Sequence, residues 1–161
     1  MSLPVAPDGN RFEALRDEIA GFKALIKVLA AEAEALRRAD ADALSVLSAS
    51  KMEQVAALQG FARARGQELK RLGIPENAVG IRQWLTHAGD VASAQADWLQ
   101  LTQLALEAKR QNEVNGRLAA RQRWHFDAAL GALLQAAGVS SVYGADGRTR
   151  RTTVSQAHLA V

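Results

Sequence analysis

Apolar residues recur at spacings of three and four through most of this chain, the signature of amphipathic helices. In the first such segment Phe12, Leu15, Ile19, Phe22, Leu25, Ile26, Leu29, Ala33 and Leu36 form one stripe. Pro7-Asp8 marks its start, with Asp8 placed to cap, and Arg37-Arg38 suits the negative end of the helix dipole. Asp40 is placed to cap a second helix, whose apolar face carries Leu44, Leu47, Val55, Leu58, Ala62, Leu69 and Leu72. So short a connection predicts an antiparallel hairpin. Gly73-Ile74-Pro75 ends the second helix, because glycine accepts a left-handed cap and proline cannot continue.

Residues 76–89 read as a loop with a short helix around Ile81, Trp84 and Leu85. Asp90 caps a last helix that meets no proline and, before Gly138, only the glycines at 116 and 131. Over residues 90–137 that helix would run about 72 Å at 1.5 Å per residue. Its heptad seam passes through Val91, Ala94, Trp98, Leu101, Ala105 and Ala108, turns polar at Asn112, Asn115 and Gln122, and is apolar again at Phe126, Ala129, Leu133 and Ala136. The expectation is an all-α fold with helices over about 8–38, 40–72, 79–88 and 90–137. An antiparallel helical hairpin packs on one very long C-terminal helix in a coiled-coil-like bundle, with a short helix between, forming a single domain over 1–138. Residues 139–161 have the composition of a flexible basic tail.

Composition fits this reading. The chain has 161 residues, 48% hydrophobic but only 5% aromatic, so Ala and Leu carry the apolar content and β-forming runs are few. There is no cysteine, which excludes disulfides and thiolate chemistry. The N-terminus lacks the basic start and apolar run of a signal peptide, and no apolar segment approaches the ~20 residues that span a bilayer. A soluble, cytoplasmic protein is expected.

The net charge of +3 is unevenly distributed. Lys109, Arg110, Arg117, Arg121 and Arg123 face a single acid, Glu113, and Arg148, Arg150 and Arg151 have no acidic residue after them. Such a balance suits an acidic partner or a solvated helix face. His87, His125 and His158 are scattered without metal-ligand spacing, and Asp40 and Asp42 flank a turn as caps rather than as an acid–base pair. No catalytic, metal or cofactor site is expected. Leu118, Phe126, Leu130, Leu133 and Leu134 form an apolar face on the distal helix, which offers a seat for a partner helix if the hairpin does not cover it. Asn112 and Asn115 have two readings: a register lock on the seam, or amides that meet another chain. Gly116 suits close helix approach.

The Asn112-x-x-Asn115-Gly116 element, followed by Tyr143-Gly144-Ala145-Asp146-Gly147, resembles the FlgN family of flagellar type III export chaperones for the hook–filament junction proteins. Two long N-terminal helices, Lys51 and Trp98 also fit, and the resemblance covers nearly the whole chain. It implies a cytoplasmic all-α chaperone, not an enzyme, without cofactor or small-molecule substrate, visiting the membrane export apparatus transiently. Its C-terminal helix would hold the helical C-terminus of its client through Asn112, Asn115, Gly116, Leu118, Phe126, Leu130, Leu133 and Leu134. Tyr143, with Gly144 and Gly147, is implied to dock the loaded protein on the cytoplasmic domain of the export gate. The free protein would be a monomer or weak homodimer. A nucleic-acid-binding helical protein using Arg117, Arg121, Arg123 and the tail arginines Arg148, Arg150 and Arg151, or a coiled-coil scaffold, is the alternative; a nucleic-acid partner is not the leading expectation.

Overall fold

The computed structural model describes residues 9–136, 141–143 and 149–151, with side-chain surroundings given for residues 12–136. Four helices follow in order: α1 (Gly9–Arg38), α2 (Ala41–Arg71), α3 (Ala78–Leu85) and α4 (Val91–Ala136). Each lies within three residues of its expected bounds. The cap expected at Asp8 lies outside the described residues.

The connection between α1 and α2 is two residues long, and both have defined work. Ala39 adopts a left-handed conformation with φ of 54°, while its N–H donates to the Leu36 carbonyl (3.3 Å) and that of Asp40 to the Ala35 carbonyl (3.0 Å). This is the paired pattern of a Schellman stop. Asp40 then turns starter, its Oδ1 accepting from the Ala43 N–H at 3.0 Å. The end of α2 repeats the device with the residue that suits it: Gly73, at φ 68°, donates to Lys70 O (3.1 Å), and Ile74 to Leu69 O (2.9 Å). Asn77 caps α3 through Val79 and Gly80 N–H, and Asp90 caps α4 through Ser93 N–H. Gly80 is required by proximity, since a Cβ there would lie 1.8 Å from the Pro75 carbonyl oxygen.

By internal contacts the chain resolves into two units, Met1–Leu118 and Ala119–Val161. The first holds the core in three successive clusters. Leu69, Ile74, Trp84, Leu85 and Ala94 gather where α3 meets α2 and the start of α4, with the Phe12 and Trp84 rings 5.3 Å apart. Leu15, Ile19 and Leu101 form the next cluster, and Leu25, Leu29, Leu58 and Ala108 the third. The buried residues of α4 are Ala94, Leu101, Ala108 and Asn115, each seven after the last. That is the expected heptad seam.

The second unit contains the end of α4 and two short strands, β1 (Ser141–Tyr143) and β2 (Thr149–Arg151), paired antiparallel with Val142 opposite Arg150. The strands differ from the loop-like reading of this segment. Val142, Tyr143 and Thr149 are strand formers on either side of the Asp146-Gly147 turn signal, which is the pattern of a hairpin.

Alanine at the left-handed stop of α1 carries a conformational penalty that glycine avoids, partly offset by glycine's freer unfolded chain. Ala39→Gly should therefore stabilise the protein by about 0.5–1 kcal/mol in denaturant unfolding. A loss of stability would show that the turn is not held as described.

Candidate functional site

Two carboxylates interrupt the apolar stripe of α1. Glu18 and Glu32 lie two heptads apart, three residues after Leu15 and Leu29 respectively, and so face inward. Each meets a cation from α2. Glu18 is paired bidentately with Arg65, whose Nη2 lies 3.3 Å from Oε1 and whose Nη1 contacts Oε2. Lys51 Nζ donates to both oxygens of Glu32, at 3.1 and 3.0 Å. Arg65 and Lys51 are themselves two heptads apart. The residue numbers of the two pairs add to the same total, as do those of Leu25 and Leu58 in the core between them. One antiparallel register thus produces all three layers.

Asn115 brings α4 into that register. Its Nδ2 donates to the Leu29 carbonyl at 2.8 Å and to Glu32 Oε2 at 2.7 Å, and the residue is only 3% exposed. Glu32 therefore collects donors from two helices: an ammonium from α2 and an amide from α4. The Arg65 guanidinium also lies 5.1 Å from the centre of the Trp98 ring of α4, so the second ion pair touches the same three helices. Partly buried charges of this kind add little net stability against an apolar replacement, but breaking one partner away is costly. Their arrangement selects a register.

The polar element of α4 thus divides by residue. Asn115 is an internal lock and is withdrawn from any surface offered to a partner. Asn112 is exposed, as is Gly116. A Cβ at Gly116 would meet nothing within 4 Å, so the expectation that this glycine permits close helix approach is not met, and α4 runs through it unbroken. Nearby, the Glu107 carboxyl is held below the usual carboxylate range, first by its hydrogen bond from Arg110 and then by that from Gln111. Both groups are at the surface.

In the second unit Phe126 is 67% exposed, Leu133 68% and Leu130 44%. Leu134 is half-buried; Leu118, at the end of the first unit, is likewise half-buried. Phe126, Leu130 and Leu133 follow the i, i+4, i+7 rule, so they share one helix face. Tyr143 pairs with Thr149 across the β1–β2 ladder, while Gly144 and Gly147 lie outside the described residues. Among the described residues no group of three or more His, Asp or Glu is placed to hold a metal ion, and no helix is long and apolar enough to cross a membrane. The residues missed in the sequence are Glu18, Glu32 and Arg65. Their signal was the matched two-heptad spacing of acids on α1 and cations on α2.

The first unit is a helical hairpin locked to α4, an all-helical architecture, and the exposed Phe126, Leu130 and Leu133 of α4 lie beyond the lock. The family model described as FlgN protein matches residues 10–151, and the chain belongs to the FlgN family. Among solved structures it is similar to a crystal structure described as that of a flagella synthesis protein FlgN from Pseudomonas aeruginosa. The two agree with a TM-score of 0.65 at 24% sequence identity, over 83% of this chain and 98% of that one, a likeness of fold. Comparison with curated protein sequences gives no match.

The two asparagines should respond differently to truncation. Asn115→Ala removes two buried hydrogen bonds, one of them to a carboxylate, and should cost about 2 kcal/mol in chemical unfolding. Asn112→Ala should change stability by less than about 0.5 kcal/mol. Equal effects would contradict the assignment of Asn115 as the lock.

Proposed function

We propose that this protein is a flagellar export chaperone that binds the helical C-terminal region of hook–filament junction proteins in the cytoplasm. It would keep them from assembling early and deliver them to the type III export gate. The observation that carries this reading is the exposed stripe of Phe126, Leu130 and Leu133 in a member of the FlgN family. Contiguous exposed apolar residues mark an interaction surface, and a helix face with this spacing accepts the ridge of another amphipathic helix.

The physics of such a role is modest. A client that later polymerises through helical termini exposes an apolar stripe while unassembled, and a matching stripe masks it without fuel or covalent chemistry. Burying ~500 Å² of apolar surface gives about 12 kcal/mol gross. Lost translational freedom and ordering of the client offset much of this, leaving micromolar to nanomolar affinity and a feasible release. Asn112, Gly116, Leu118 and Leu134 are proposed to border the client site, with Asn115 acting behind it. The gate would be met through Tyr143 with Gly144 and Gly147.

Titration with C-terminal helices of junction proteins tests the assignment: saturable binding is expected, and its absence at tens of micromolar would end it. Because Leu133 is exposed, Leu133→Asp should weaken that binding at least about tenfold with almost no change in thermal midpoint. A parallel loss of thermal stability would instead place the stripe in a core. Tyr143→Ala should leave client affinity intact and lower client secretion in cells; normal secretion would remove the tyrosine from gate docking.

A further inference from the structure

We infer that two copies of this chain associate antiparallel along α4, the distal stripe of each filling a groove in the other. The groove belongs to the first unit. It has a volume of about 390 Å³ and opens between α2 and α4, with Val55 and Ala62 on one wall, Trp98 and Ala105 on the other, and Phe22 and Leu25 of α1 beneath. Its charged residues, Glu18 and Arg65, already pair with each other. An apolar trough between two helices, floored by a third, is the fourth position of a helical bundle left open.

Spacing along α4 matches the stripe to that trough. The buried residues Ala94, Leu101, Ala108 and Asn115 keep a strict interval of seven, so the heptad is the period at which this helix presents its faces. Trp98, Ala105, Phe126 and Leu133 differ by multiples of seven, as do Thr102, Gly116 and Leu130. The stripe therefore repeats the heptad positions of the groove wall. An antiparallel crossing with its twofold axis between Asn115 and Gly116 sets Phe126 opposite Ala105, Leu130 opposite Leu101 and Leu133 opposite Trp98 in one register. Gly116 then falls at the crossing. It is exposed, a Cβ there would meet nothing within 4 Å, and its missing side chain lets two backbones approach.

Buried area favours a second copy as the occupant. The stripe offers on the order of 300 Å² of apolar surface and the groove about as much. One such contact is small for a specific interface, but a twofold pair buries on the order of 1,200 Å², the lower end of the stable range. For the chain to fill its own groove, α4 would have to break, and it is one helix from Val91 to Ala136. The register also brings Arg123 beside Lys109, both exposed, so the association is weak and tightens when salt screens the like charges. The inference goes beyond the client reading. A client helix on the stripe would compete with the second copy, but self-association is measured without any client.

Sedimentation equilibrium of the full-length protein alone should show the mass doubling between about 10 μM and about 1 mM, at lower concentration as salt is raised. Leu133→Asp, on the stripe, and Ala105→Arg, in the groove, should each weaken self-association at least about tenfold with helix content unchanged. The chain has no cysteine, so Gly116→Cys should give a disulfide-linked dimer on oxidation, whereas Ala57→Cys, exposed on α2, should not. A monomer up to about 1 mM, growth beyond the dimer, or association that weakens with salt would overturn the inference. So would a dimer that survives both substitutions, or cysteines at 116 and 57 that cross-link equally or not at all.

Discussion

The Glu32 carboxylate is the interaction on which the rest of this structure depends. It lies within an apolar stripe of α1, where a lone charge would be expensive, and it is tolerable only because Lys51 and Asn115 reach it together. Those two partners come from different helices, so satisfying one side chain fixes the axial position of both. An apolar layer tolerates a slip of one turn far better, since one leucine contact resembles the next. The polar layer admits one arrangement, and Glu18 with Arg65 repeats the demand two heptads away.

This constraint gives a physical meaning to the end of the first unit. Every buried residue of α4 lies at or before Asn115, and the helix continues for another twenty-one residues with Phe126, Leu130 and Leu133 in the open. On the proposed function, a long helix with little packing beyond its lock would present the client-binding face. The lock marks where burial of α4 ends: Asn115 is the last buried residue of the helix among those described, and Phe126, Leu130 and Leu133 beyond it are exposed. Alanine and leucine make up much of that segment and favour helix there, despite Gly116 and Gly131.

Much of the fold was legible because the helical period and the cap residues agree. The α1 stripe, Asp40, Gly73 with Pro75, and Asp90 each mark an element that the structure contains. Four features were less legible, each for an identifiable reason. Glu18 and Glu32 sit at inward positions, but a carboxylate in a pattern of leucines reads as surface until its partner on another helix is known. Asn115 and Asn112 looked equivalent, three apart in one motif, yet helical rotation places one against Leu29 and Glu32 and leaves the other in solvent. The Gly116 signal was misleading in a simpler way, since no neighbour approaches it. Exposure of the distal stripe could be anticipated only conditionally, because sequence does not say how far the hairpin reaches.

Residue-resolved amide hydrogen exchange, on the protein alone and with a junction-protein helix, tests the central claim most directly. The account predicts strong protection in α1, α2 and α4 up to Asn115 and weak protection over residues 119–136, rising there on addition of the client. Uniform protection through Ala136 in the free protein would contradict it, as would a client that protects only residues before Asn115.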